Sequence, residues 1–257
     1  MLGNLPIISL GNLEVGNLKN TTTRELSHLD LQRYKLFIFD WDGTLLDSQN
    51  SYMHWDQLFV KTFYGVEWPL ENFYELAERL KSVESKGKES AYFRFLDEKF
   101  GDGDTAMEEI WQNIYSLAPI IQAQNDYMQG APDFLTFLRD EHDAKIALCT
   151  SSERRDIDFY GSDASKTASV LNPLRFFNKI ITLDDVENPK PNPEPYQKII
   201  DYFQLNSGDV LVFEDSVIGV ASAKAAHADV AVFGDAKITS ADFFVDSWTN
   251  LITRSRI

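Results

Sequence analysis

The chain has 257 residues, 44% of them hydrophobic and 13% aromatic, which is enough for one large domain or one domain with a small insert. A formal net charge of −16 repels nucleic-acid phosphates and acidic lipid, so neither is expected as a partner; any anion site must be built locally from a metal ion, a lysine or backbone N–H groups. Cys149 is the single cysteine, which excludes an intrachain disulfide and a cysteine metal cluster, and no apolar run is long enough to span a bilayer.

Residues 1–33 show no helical period; Gly-Asn-Leu recurs at Gly3, Gly11 and Gly16, and an extended or partly disordered leader is expected. The short apolar run from Leu5 to Leu10 has no basic segment ahead of it, so an intracellular, cytoplasmic location is the default expectation. From Tyr34 onward, strands and helices alternate. Lys35–Phe39 and Lys145–Cys149 are short, nearly continuous apolar runs, as in strands buried on both faces. Lys179–Thr182, Val210–Phe213 and Asp229–Phe233 follow the same pattern, separated by helical segments at Pro132–Arg139, Pro193–Phe203 and Val217–Ala226. This order predicts an α/β fold with a doubly wound parallel sheet, and places any ligand crevice beyond the carboxyl ends of the strands. Residues 51–127 break the alternation with helical patterns at Tyr52–Tyr64, Leu70–Leu80, Glu89–Phe100 and Thr105–Leu117, read as a helical insert whose recurring aromatics form its own core. The expected division is therefore a leader at 1–33, an α/β core at 34–50 and 128–257, and a helical insert at 51–127.

The strand ends carry the chemistry. Asp40 and Asp42 stand where the first strand opens into a turn at Gly43, and two carboxylates in that position call for a cation; oxygen ligands suit magnesium. Asp47 and Ser48 read equally well as a helix cap. Thr150, Ser151 and Ser152 follow the second strand and form an anion cradle or simply a helix start. Lys190, in a proline-rich loop, can meet a phosphate as a point charge or stand exposed. Glu214 and Asp215 close the fourth strand with a second acidic pair. Together these ends converge on one edge of the sheet.

The run Asp40-Trp41-Asp42-Gly43-Thr44 resembles the first motif of the haloacid dehalogenase-like hydrolase superfamily. Thr150 is similar to its second motif, Lys190 to its third and Glu214-Asp215 to its fourth, in order, while Gly219 and the Ala-rich helix to Ala226 resemble the family's segment after the fourth motif. The insert resembles the cap of the subgroup with β-phosphoglucomutase and phosphoglycolate phosphatase. The resemblance implies a Rossmann-like core with an inserted helical cap, with Asp40 as nucleophile forming an aspartyl-phosphate and Asp42 as general acid and base. It further implies Mg²⁺ held by Asp40, the Asp42 carbonyl and Asp215, with Glu214 in or beside the shell, and phosphoryl oxygens held by Thr150, Ser151 and Lys190. Dehalogenases and phosphonatases lack the second aspartate, so Asp42 argues against both. The histidine that comes after the motif in β-phosphoglucomutase aligns with Tyr52, with His54 out of register, and His227 replaces a customary glycine. The segment from Arg154 to Phe177 is longer than the family norm.

The expectation is a magnesium-dependent phosphatase of a small phosphorylated metabolite, such as a sugar phosphate or phosphoglycolate, acting as a monomer or weak homodimer. The alternatives are a phosphomutase of the β-phosphoglucomutase type and a non-catalytic phosphate-binding protein. Lys86 and Lys88, in the loop at 81–88 between two insert helices, are expected to contact an anionic leaving group or to be part of a solvated connection.

Overall fold

A computed structural model describes residues 29–80, 91–234 and 237–255 of the chain. Most of the expected leader, and Lys86 and Lys88, lie outside these residues. The described end of the leader is packed: Leu31 is buried, Leu29 lies against the same core, and Leu31–Arg33 form a turn capped by the Asp30 carboxylate, which accepts from Gln32 N.

The sheet begins with β1 (Leu36–Phe39), whose four residues are all buried. Leu36 and Ile38 face one layer of the core while Phe37 and Phe39 face the other, as the period of two requires. β1 pairs in parallel with β2 (Lys145–Cys149) and β4 (Val210–Glu214), so that Phe39 lies level with Leu148 and Phe213. With β3 (Lys179–Ile181), β5 (Asp229–Phe233) and β6 (Phe243–Val245) the order is β3-β2-β1-β4-β5-β6, parallel throughout. The expected doubly wound α/β architecture is therefore present, and every strand delivers its carboxyl end to the same edge.

The insert supplies α1 (Gln49–Tyr64), α2 (Leu70–Leu80), α3 (Ala91–Phe100) and α4 (Met107–Gln122). They surround their own core, with Phe59, Val60, Phe73, Leu96 and Ile110 buried. α4 runs on past the expected end at Leu117 and carries Pro119 within it; one missing backbone donor does not end a helix whose Ile114, Leu117, Ala118 and Ile121 are all buried on one side. α5 (Ala131–His142) starts with proline in its first turn. The long segment after β2 folds as three short helices, α6 (Arg154–Tyr160), α7 (Lys166–Val170) and α8 (Pro173–Phe176). α9 (Glu194–Phe203) and α10 (Val217–Ala225) cover the Leu36 face through Tyr196, Ile199, Val220 and Ala223. α5, α6 and the C-terminal α11 (Trp248–Ser255) cover the other. No described helix is long and apolar enough to cross a membrane.

His227 follows α10 at φ 61, a left-handed position where glycine is unstrained, and its N–H donates to Lys224 O at 3.0 Å. That conformation gives the glycine expected there its physical reason and identifies His227 as a helix-ending residue.

Trp248 closes the Phe39 layer. Its ring lies 5.2 Å from those of Phe134 and Phe213 and 4.7 Å from that of Phe233, and its indole N–H donates to Thr44 O at 3.2 Å. Trp248→Ala should cost about 3–5 kcal/mol, read as a lowered denaturant midpoint; because Thr44 belongs to the turn after Asp42, a stable variant with unchanged midpoint would show that this layer does not support that turn.

Candidate active site

Asp40 is the first residue beyond β1, and its N–H still donates to Phe213 O of β4 at 2.9 Å. The chain then turns tightly: Leu45 and Leu46 N–H both donate to Trp41 O, and Gly43 takes φ 77, a left-handed conformation that favours glycine. Trp41 is buried beneath the turn, against Tyr127 and Tyr160. The turn brings Asp42 back to the same edge as Asp40. Asp47 is exposed, and Ser48 precedes α1 without a side-chain cap bond.

Lys190 is buried, and its ammonium has a full set of three acceptors: Asp40 Oδ1 at 2.7 Å, Glu214 Oε1 at 2.6 Å and Cys149 O at 2.9 Å. The Tyr196 ring stands 5.0 Å from the ammonium, and its hydroxyl donates to Glu214 Oε1 at 2.5 Å. The other Glu214 oxygen accepts from Asp215 N, Ser216 N and Ser216 Oγ. Glu214 is thus fully engaged and rigid. Ser216 caps α10 by accepting from Gly219 N. Gly219 leaves room for the carboxylate, since a Cβ there would lie 1.9 Å from Glu214 Oε1.

Ligand oxygens of Asp40, Glu214 and Asp215 all lie within 4.8 Å of one another. Three carboxylates around one ammonium leave surplus negative charge, and an all-oxygen set of this size fits Mg²⁺. The same surplus shifts the proton affinities of the pair. Burial pushes the Asp40 carboxyl well above its ordinary value; Lys190 opposes this, and Glu214 and Asp215 add to it. Burial alone would lower Lys190, but Asp40 and Glu214 outweigh it and hold the ammonium well above its ordinary value.

Thr150 is buried at the end of β2, with its N–H on Ile181 O and its hydroxyl accepting from Ser152 N at 2.9 Å. Ser151 is exposed at the mouth of a cavity. Ser152, rather than Ser151, reaches the aspartate pair: its hydroxyl donates to Asp42 Oδ2 at 2.6 Å. Tyr52 of α1 also hydrogen-bonds Asp42. Although 40% of Tyr52 is exposed, its hydroxyl end is out of water, and that burial, followed by the Asp42 charge, holds the phenol well above its ordinary value. His54 faces a different cavity with Gln57, Lys61 and Glu67. Ser152 and Tyr196 acquire their parts only through contacts that cross the chain, signalled in the sequence by no more than the hydroxyl run that includes Ser152; Gly219, already singled out by its place after the fourth strand, acts locally on Glu214.

Asp42 forms the floor of a cavity of about 310 Å³ between the α1–α4 bundle and the sheet edge. Contacts across it include Gln122 Nε2 to Asp156 Oδ1 at 2.8 Å and Asn125 Nδ2 to the Tyr160 hydroxyl at 2.8 Å. Asp56 lines it too, buried, and accepts from the Tyr92 hydroxyl at 2.7 Å. Burial pushes this carboxyl up to about 7, with Tyr92 opposing.

The description "haloacid dehalogenase-like hydrolase" matches residues 34–227. Over 189 residues the chain is 32% identical to the phosphorylated carbohydrates phosphatase of Thermotoga maritima, covering 74% of this chain and 80% of that protein. It is 26% identical over 196 residues to validoxylamine A 7′-phosphate phosphatase of Streptomyces hygroscopicus subsp. limoneus, covering 75% of this chain and 82% of that protein. Among solved structures, CbbY of Rhodobacter sphaeroides in complex with phosphate superposes with a TM-score of 0.66 at 19% identity, over 87% of this chain and 100% of that one.

Gly219→Ala should weaken divalent-cation binding by about tenfold, read by calorimetry, because Glu214 must leave its place; alanine is about 1 kcal/mol better than glycine inside a helix, so lost helicity is no explanation. Unchanged affinity would show that Glu214 does not organise the cation site. Between its ordinary 3.8 and about 7, the folded chain keeps a proton on Asp56 that the unfolded chain releases, so this group's contribution to stability falls as pH rises through that window. Asp56→Asn should therefore stabilise the protein by on the order of 1–3 kcal/mol at pH 8 and by less at pH 5, and equal gains at both would refute the assignment.

Proposed function

The chain belongs to the haloacid dehalogenase-like hydrolases, and from that premise we propose that it is a magnesium-dependent phosphatase that cleaves small phosphorylated metabolites through an aspartyl-phosphate on Asp40. The observation that carries the reading is the Lys190 ammonium, which holds one Asp40 oxygen at 2.7 Å while Asp42 lines the adjoining cavity. In this reading Asp40 would meet phosphorus from the Lys190 side, and Asp42 would face the leaving group in the cavity.

Mg²⁺ would be held by Asp40, the Asp42 carbonyl and Asp215, and supplies charge neutralisation at the phosphoryl oxygens. Glu214, with both oxygens engaged by Lys190, Tyr196 and Ser216, stands beside that shell and orients Lys190. Thr150 and the Ser151 end of the α6 approach would take the phosphoryl oxygens, and Lys190, whose three N–H groups are already engaged, would contribute its charge. Asp40 attacks phosphorus as its bond to the leaving oxygen breaks, and Asp42 gives that oxygen its proton, releasing an alcohol. Asp42, now a carboxylate, takes a proton from water as the water oxygen attacks phosphorus; phosphate leaves and Asp40 is restored. Ser152 and Tyr52, both hydrogen-bonded to Asp42, fix its direction. We take α1–α4 as the cap that closes over this reaction. Such positioning plus charge stabilisation is what phosphoryl transfer requires.

Phosphate release from a panel of phosphomonoesters tests the reading. Release should require Mg²⁺ and stop with chelator. Asp40→Asn should lose at least about three orders of magnitude in kcat, and Asp42→Asn about 10²–10⁴. Release that survives Asp40→Asn would overturn the covalent step; no release from any ester would overturn the phosphatase.

A further inference from the structure

The cavity above Asp42 has walls that phosphate chemistry does not require. Asp56 on α1 is only 7% exposed yet lines the cavity. Its Oδ2 is engaged by Tyr92, and among the described residues no lysine or arginine pairs with it. The rings of Trp55, Phe93 and Trp111 line the same cavity, the last two packed edge to face with centroids 5.1 Å apart. On the α6 side the wall is acidic again, with Glu153 and Asp156. Arg155 pairs with Glu153 at 2.8 Å and lies over the Tyr115 ring at 3.6 Å, but it opens onto a neighbouring cavity. Serines and the amides of Gln122 and Asn125 line the side toward the sheet edge, and among the described residues no lysine or arginine lines the cavity, so its charged groups are all carboxylates.

A second phosphate or a carboxylate seated there would face like charge. A neutral hydroxyl group would leave the buried Asp56 carboxyl with no charge partner. An ammonium satisfies both features, since ring faces and a desolvated carboxylate attract the same cation. Burial pushes the Asp56 carboxyl up to about 7, and a cation brought beside it lowers it again. A buried carboxyl retained at a cost to stability, in a cavity, marks a binding position.

We propose that the preferred substrate is a phosphomonoester whose alcohol carries an amine, primary or methylated, with its ammonium held between Asp56 and the rings of Trp55, Phe93 and Trp111. This names the substrate class of the phosphatase and rests on that reading. It replaces the expected anionic leaving group, and it assigns no contact to Lys86 or Lys88. Asp56 acts as a specificity residue, away from the reacting atoms.

The test compares isosteres: 2-aminoethyl phosphate with propyl phosphate and phosphoglycolate, phosphocholine with 3,3-dimethylbutyl phosphate, and glucosamine 6-phosphate with glucose 6-phosphate. At least one amine ester should exceed its neutral isostere about tenfold or more in kcat/KM, mostly through KM, and phosphoglycolate should be poorest. Asp56→Asn should bring that ratio to about one, and Trp111→Leu, at a half-buried ring, should lower it; the second variant decides if the first does not fold. Calorimetry of the same esters on Asp40→Asn reads the preference without turnover. Phosphate release with no amine preference, or a preference that survives Asp56→Asn, overturns the inference and leaves the phosphatase standing. No release from any ester, with the amine esters still bound more tightly, overturns the phosphatase and leaves the cation site standing.

Discussion

The ammonium of Lys190 is the point on which three strands of the sheet depend. It is buried beneath the sheet edge and bound to the residue after β1, to the last carbonyl of β2 and to the last side chain of β4. These strands are adjacent and parallel, so their ends already lie level; the lysine turns that alignment into a fixed set of charges. Removing any one partner would leave a charge stranded in a region of low dielectric, which is more damaging than the loss of a surface pair. The arrangement therefore holds the strand ends rigid for the same reason that it gathers charge at one edge. Tyr196, Ser216 and Gly219 belong to the same logic, since each fixes Glu214 in place or leaves space for it.

The four central strands were readable because a parallel strand buried on both faces is written as an unbroken apolar run, and Leu36–Phe39, Lys145–Cys149, Val210–Glu214 and Asp229–Phe233 are such runs. β6 has three residues, and nothing in Phe243–Val245 separates it from an ordinary apolar patch; α11 escaped with it. Asp40, Asp42, Thr150, Lys190, Glu214 and Asp215 were legible as candidates because topology alone sends all strand ends to one edge. What each touches was not legible. Ser152 meets Asp42 across 110 positions and Lys190 meets Asp40 across 150, distances over which no local pattern carries information. The cavity was hidden for the same reason: Asp56, Trp111 and Asp156 come from three separate helices, and in the sequence each looks like an ordinary member of an amphipathic segment.

The two halves of the site are built from opposite materials. The sheet edge gathers charge and supplies it with hydrogen bonds. The α1–α4 bundle gathers rings and buries two carboxyls among them, Asp97 beside Arg94 and Asp56 at the cavity. A phosphate group is common to many metabolites, so on the proposed reaction the sheet edge would set what reaction occurs, and the bundle wall, which would meet the rest of the molecule, on which compound. Tyr52 joins the two, because it belongs to α1 and yet hydrogen-bonds Asp42.

The surplus of carboxylates around Lys190 has a kinetic consequence. A chain of net charge −16 presents a repulsive field to an approaching dianion, and attraction begins only within the last few ångströms, where the ammonium and a bound cation outweigh it. On the proposed reaction, capture would then be slower than free diffusion allows, and added salt, by screening that field, would speed it. The same field works in the other direction on the liberated inorganic phosphate, which is driven outward once it leaves the lysine. On the proposed reaction, that distribution of charge would favour release of product over its retention, at some cost in speed of arrival.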